Sequence, residues 1–256
     1  MTGEALFLGT GASMGVPVIG CNCSVCLSSS PFNKRLRPSI LLLIEGRQYL
    51  VDVGPDFRFQ ALKYQIMHLD GVILTHSHYD HIGGLDELRI YYYRNQKPVP
   101  CLVSPETFEE IEARYHYVVS QDKIRGEKFN FQLTEGGQGE MTFEGLDLKY
   151  FSYFQKEMKV MGLRIKDFAY VVDILNYEEE IFAALEGVKT LVIDGLAWER
   201  TSAHLGICEV IEFAKKVGCE TTYLTHIAHE TDHEAMNEEL PQGMNMAYDG
   251  LKLKLW

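Results

Sequence analysis

The sequence predicts an α/β fold, and two patterns that run the length of the chain predict it. Short apolar runs rich in β-branched and aromatic residues recur throughout, and they alternate with stretches whose apolar residues return at helical spacing. In order, the strand-like runs are Ala5–Leu8, Ile40–Ile44, Tyr49–Val53, Val72–Leu74, Phe129–Leu133, Leu146–Phe151, Phe168–Val172, Thr190–Ile193 and Thr222–Leu224. The helical stretches are Leu85–Tyr93, Pro105–Val119, Glu178–Leu185, Leu205–Val217 and His233–Glu239. Interleaving of this kind suits sheets covered by helices, with several hairpins. Glu135-Gly136-Gly137-Gln138-Gly139 reads as a turn, too short for a linker. With no repeat or low-complexity tract, one domain is expected over residues 1–256, a length that can bury a substantial core.

Composition narrows the partners. A formal charge of −12 gives no general attraction to polyphosphate backbones, so a small substrate is favoured over a long nucleic acid. The three charges of Lys34-Arg35-Leu36-Arg37 read as a solvated loop rather than a binding patch. Residues 1–20 lack a basic segment followed by an apolar one, and no apolar stretch approaches the roughly 18 residues that span a bilayer. A soluble cytoplasmic protein without membrane contact is expected, with homodimerisation left open. Of the six cysteines, three crowd into Cys21-Asn22-Cys23-Ser24-Val25-Cys26, which points to metal rather than disulfides.

The chemistry concentrates where the strand Gly71–Leu74 runs into Thr75-His76-Ser77-His78-Tyr79-Asp80-His81 and a helical pattern follows. Along an extended segment, side chains at i and i+2 point the same way. His76 and His78 can therefore share one ion while the turn aims Asp80 and His81 at a second. Core packing does not call for so many ligand-type residues in so short a run.

This run resembles the H-x-H-x-D-H signature of the metallo-β-lactamase superfamily. Other pieces resemble that family in the expected order. Tyr49–Gly54 resembles the strand whose aspartate, here Asp52, supports the metal loop from behind. Ala169–Asp173 resembles the strand ending in the aspartate that bridges both ions, here Asp173, and Leu224-Thr225-His226 the strand ending in the last histidine ligand. The resemblance implies an αββα four-layer sandwich of two mixed β-sheets flanked by helices. It also implies two divalent ions about 3.5–4 Å apart, sharing a hydroxide that acts as nucleophile.

Cys21, Cys23 and Cys26 supply three thiolates, one donor short of a closed zinc tetrahedron, and His229 can complete it. The structural-zinc loop is then at about residues 20–30. Together with Leu8-Gly9-Thr10-Gly11, Gly15-Val16-Pro17, Gly54–Arg58 and Tyr248–Leu251, this cluster resembles the PhnP subfamily of cyclic phosphodiesterases. That resemblance implies hydrolysis of a small phosphodiester, manganese or zinc in the active site, and one structural zinc. It assigns catalytic roles to Asp80 and to His204, an imidazole suited to act as general acid or charge stabiliser. Asp194, at the end of Thr190–Ile193, backs His204 or a metal ligand.

One position departs from the family. The histidine expected seven residues before Gly162 is Gln155. The ion on His76 and His78 then keeps those two imidazoles, Asp173 and at most a weak amide oxygen, and its affinity should fall. Three consequences follow: preference for a harder ion such as manganese, recruitment of Glu157 as an oxygen ligand, or partial filling. Partial filling keeps open a non-hydrolytic or accessory role resembling the pyrroloquinoline-quinone biosynthesis protein B group. A tRNase Z-like nuclease shares the metal motif but needs a basic grip on its substrate.

Overall fold

The computed structural model describes residues 2–117, 119 and 128–256. Two seven-stranded sheets face each other. The first is built from β1 (Gly3–Gly9), β2 (Ser39–Ile44), β3 (Arg47–Val51), β4 (Gly71–Ile73), β5 (Val99–Val103) and β6 (Phe129–Leu133). The second contains β7 (Gln138–Phe143), β8 (Leu146–Gln155), β9 (Met158–Ile165), β10 (Phe168–Val171), β11 (Thr190–Asp194), β12 (Thr221–Thr225) and β13 (Met244–Met246). The chain returns to the first sheet with β14 (Lys252–Lys254), giving the orders 14-1-2-3-4-5-6 and 13-12-11-10-9-8-7. Both sheets are mixed: hairpins pair β2 with β3 and β8 with β9, while β3-β4-β5-β6 and β10-β11-β12-β13 run parallel.

The period of two along each strand explains the layering. Ile40, Leu42, Ile73, Tyr170, Val172 and Val192 point into the core between the sheets. Their neighbours Leu41, Val72 and Leu74 pack outward under the helices of the first sheet. Ala169, Val171, Leu191 and Ile193 do the same on the second. Strands buried on both faces read as continuous apolar runs, which is why they stood out in the sequence. The helices are α1 (Ser24–Leu27), α2 (Phe57–Lys63), α3 (Tyr79–Ile82), α4 (Arg89–Asn95), α5 (Pro105–Arg114), α6 (Ile181–Ala184), α7 (Ile207–Val217) and α8 (His233–Glu239). The result is the expected αββα sandwich.

Some boundaries differ from expectation. The helix expected over Leu85–Tyr93 starts as a 3-10 turn, Leu85–Leu88, and becomes α4. Of the helix expected to Val119, α5 accounts for residues up to Arg114, and Val118 lies outside the described residues. The helix expected over Leu205–Val217 begins at Ile207 as α7, and ahead of it Thr201 Oγ1 accepts the His204 main-chain N–H at 2.9 Å. Nor is Lys34–Arg37 a solvated loop. Arg35 is 3% exposed, with NH1 on Thr10 Oγ1 and the Ala247 carbonyl, both at 2.7 Å, and burial pushes its guanidinium down to about 10. Among the described residues no helix is long and apolar enough to cross a membrane.

Candidate metal centre

The active-site loops leave their strands through strained turns. Asp52 after β3, Asp173 after β10 and His226 after β12 have φ of 61°, 57° and 56°. A non-glycine residue in that region costs about 1–3 kcal/mol, and it persists where its surroundings over-determine it. Here all three side chains converge on one cluster. Gly54 lets the first two loops close, since a Cβ there would lie 2.2 Å from the Asp80 carbonyl oxygen.

Asp52 is fully buried and holds two pieces at once. Oδ2 accepts from His81 Nδ1 at 2.7 Å, and Oδ1 accepts the Thr75 main-chain N–H at 2.8 Å. The Thr75 hydroxyl donates to Asp52 as well, so its lone pair is left for His76 Nδ1 at 3.0 Å. Both imidazoles thereby turn Nε2 toward the cluster, the arrangement by which a backing carboxylate or hydroxyl fixes a ligand's tautomer. Thr75 is the functional residue that sequence reasoning missed. A hydroxyl directly before the His-x-His run was the available signal.

His78 caps the N-terminal end of α3, so the extended His76–His78 segment turns at once into a helix that carries Asp80 and His81. Asp173 sits between two groups of ligand atoms. Its Oδ2 is 2.9 Å from His76 Nε2 and 2.8 Å from His81 Nε2, while Oδ1 is 3.2 Å from His226 Nε2. His76 Nε2 is also 3.0 Å from His78 Nδ1. Asp80 Oδ2 closes the other side, 3.3 Å from His226 Nε2 and 3.5 Å from His81 Nε2.

These residues fit divalent metal. His81 Nε2 and Asp173 Oδ1 are buried and make no hydrogen bond, although ligand-type atoms surround them. Ligand atoms about 2.0–2.2 Å from a shared ion in a tetrahedron stand roughly 3.3–3.6 Å apart, close to the spacings seen. Asp80, His81, Asp173 and His226 could hold one ion, and His76, His78 and Asp173 another.

His204 lies on the same cavity of about 640 Å³, stacked on His226 with ring centroids 4.9 Å apart. Its Nδ1 is 2.9 Å from Asp194 Oδ2, so Asp194 backs His204 as expected. Asp194 also accepts the main-chain N–H groups of Asp173 and Ile174, which makes it a brace for the loop that carries Asp173. Gln155 and Glu157 line the cavity too. The Gln155 amide nitrogen is 3.0 Å from His204 Nε2.

Within the cluster burial opposes every charge, yet the groups hold one another ionised. Burial raises the Asp80 and Asp173 carboxyls, but His81 and His226 override it and both stand well below the carboxylate range. Burial lowers His226, and Asp173 and Asp80 more than offset this, raising it to about 9. His78 moves the other way, to about 4, through burial and its neighbour His76. An imidazolium cannot ligate, so metal uptake must displace the proton of His226 and that of His81, where burial is likewise outweighed by three neighbouring carboxylates. The stability that the His226 proton lends is complete below the ordinary histidine value of 6.5 and is lost as pH rises through about 9. Apparent metal affinity is expected to rise across that same window. Calorimetry in buffers of different ionisation enthalpy should record the released protons, and an affinity flat from pH 6.5 to 9 would contradict this account.

The cysteine cluster forms as the spacing suggested. His229 Nδ1 is 3.3, 3.5 and 3.6 Å from the Sγ atoms of Cys21, Cys23 and Cys26, and all three thiols are free. Cys23 caps α1, accepting from the Cys26 main-chain N–H, and this bond together with His229 lowers its thiol to about 6. Burial raises that of Cys26. Glu230 Oε1 reaches His229 Nε2 at 3.0 Å and orients the ring. Four donors at these spacings fit a closed tetrahedral zinc site.

Comparison with known proteins agrees with this geometry. The Beta-lactamase superfamily domain family matches residues 47–227. A crystal structure of a diphosphatase from the PhnP family superposes with a TM-score of 0.91 at 32% identity, covering 99% of this chain and 97% of that one. Zinc-bound PqqB from Methylobacterium extorquens shares the fold, with a TM-score of 0.77 at 22% identity over 98% of this chain and 99% of the other. The octanoyltransferase of Porphyromonas gingivalis is 32% identical over 97% of this chain, which spans about half (51%) of that protein's length. The carboxylate set between two groups of ligand-type atoms, the histidine run that enters α3 and the sandwich that positions them agree with the comparisons: the chain belongs to the metallo-β-lactamase superfamily, in its PhnP-like branch.

Proposed function

We propose that this chain is a metal-dependent phosphodiesterase that hydrolyses a small or cyclic phosphodiester, with manganese or zinc at the paired sites and one structural zinc on Cys21, Cys23, Cys26 and His229. The observation that carries the reading is Asp173 Oδ2, placed within 2.9 Å of imidazole nitrogens from both ligand groups. Ions bound there supply Lewis-acid polarisation of the phosphoryl oxygens and an attacking water activated near neutral pH. The chain does the rest. Asp52 and Thr75 keep the ligating nitrogens aimed inward, Asp80 and Asp173 supply the negative charge that retains divalent ions, and His204, held at Nδ1 by Asp194, takes up at Nε2 the proton lost by the attacking water and passes it to the departing alkoxide. Similarity to a PhnP-family diphosphatase supports cleavage at phosphorus. The net charge of −12 favours a small substrate over a polynucleotide, against the tRNase Z-like alternative.

Gln155 gives a second reading some support. Coenzyme PQQ synthesis protein B of Methylorubrum extorquens aligns at 24% identity over 98% of this chain, and a weakened first metal site suits an accessory, non-hydrolytic protein. Assay against bis-para-nitrophenyl phosphate separates the two. Turnover that depends on added manganese is expected. Absence of turnover with every divalent metal, while structural zinc stays bound, would move the assignment to the accessory role.

A further inference from the structure

We infer that Gln155 is a positioning residue for His204 and does not ligate the ion of His76 and His78. Gln155 is the last residue of β8 and is 6% exposed, just before the tight Lys156-Glu157 turn into β9. Its amide nitrogen is 3.0 Å from His204 Nε2, and the far end of the ring fixes the direction of that bond. Both Asp194 oxygens accept main-chain N–H groups, at 2.6 and 3.0 Å, so the side chain acts here as an acceptor. His204 Nδ1, 2.9 Å from Asp194 Oδ2, must then be the donor. A neutral imidazole carries one N–H, so Nε2 presents a lone pair, and the Gln155 NH2 satisfies it. Reversing the carboxamide would set its oxygen against that lone pair.

Asp194, His204 and Gln155 therefore form one hydrogen-bonded chain. It ties the end of β11 to the β8–β9 hairpin and holds the ring over His226 from both edges. A family-type histidine at this position would give its nitrogen to metal, whereas this chain gives an amide to the neighbouring imidazole. The metal centre becomes unequal. Asp80, His81, Asp173 and His226 offer four donors on one side, and His76, His78 and Asp173 three on the other. The kinetic consequence rests on the hydrolase reading, but the hydrogen bond does not.

The test uses full-length zinc-loaded protein labelled with 15N-histidine, as wild type, Gln155→Ala and Gln155→Leu, with His204 assigned by comparison with His204→Asn. Wild type should show His204 as the Nδ1–H tautomer. In the variants its Nε2 resonance should move while metal content by plasma mass spectrometry is unchanged. On a phosphodiester with an alkyl leaving group, assayed with the most active divalent metal, kcat should fall about tenfold, the value of one lost hydrogen bond, with KM little altered. Loss of an ion from either folded variant, or a His204 resonance that stays put in both, overturns the assignment. If wild type turns over nothing with zinc, manganese or any other divalent metal, the phosphodiesterase reading fails, and the resonance and metal counts still decide the role of Gln155. Two variants of different bulk guard against one that does not fold.

Discussion

Asp173→Asn is expected to lower kcat/KM by at least about 10³-fold and to leave the protein short of active-site metal. An ion that Asp173 helps to hold would supply several kcal/mol of transition-state charge stabilisation, and each 1.4 kcal/mol or so is tenfold in rate. Asparagine keeps the size but loses the charge, and its NH2 must face imidazole nitrogens that stand 2.8–3.2 Å from the present oxygens. The fold should survive. Asp173 holds its turn through a main-chain N–H donated to Asp194, which the substitution leaves in place. Plasma mass spectrometry should count fewer active-site ions alongside full structural zinc. A variant that retains every ion and more than a tenth of wild-type activity would mean that Asp173 does not join the two halves.

Much of the architecture was legible because its strands are buried on both faces. Ile40–Ile44, Phe168–Val172 and Thr190–Ile193 are apolar at nearly every position, and the structure places them in the middle of their sheets. β7 and β9 were not read as runs because they are patterned differently: Gln138–Phe143 alternates half-buried and exposed positions at a sheet edge, and Lys159 and Gly162 break up β9. β5 was missed because Pro100 interrupts Val99–Val103. The site shows the same division. His76, His78, Asp80 and His81 lie within one short run, where spacing alone exposes them. Arg35 finds partners at Thr10, Ala247 and His233, separated from it by as many as 212 residues, and no local pattern announces a buried guanidinium. Gln155 was visible as a departure from the family, but its partner is 49 residues away, so only the folded chain shows what its amide does.

Cys26→Ser should lower the melting temperature by about 10 °C. The reason is how little else holds the loop. α1 has four residues, far too few to be stable by itself, and of its apolar side chains only Val25 is buried while Leu27 is 68% exposed, and Ile19 ahead of it is 99% exposed. Zinc free at roughly 1,000 times its dissociation constant stabilises a native state by about 4 kcal/mol. For a chain of this length each kcal/mol moves the midpoint by about 2–4 °C. The damage should also reach the active site, because His229 follows His226 by three residues. Between them, the main-chain N–H of Ile227 donates to Thr10 and that of Ala228 to Leu196, both near the cluster. A slackened His229 thus loosens the segment that carries the last imidazole, and active-site metal affinity should fall with it. Comparing Cys26→Ser with Cys208→Ser separates this from thiol loss in general, since Cys208 is exposed on α7, outside the four-residue cluster. Equal melting temperatures for the two variants, with zinc retained in both, would show that the cysteine cluster does not hold the loop.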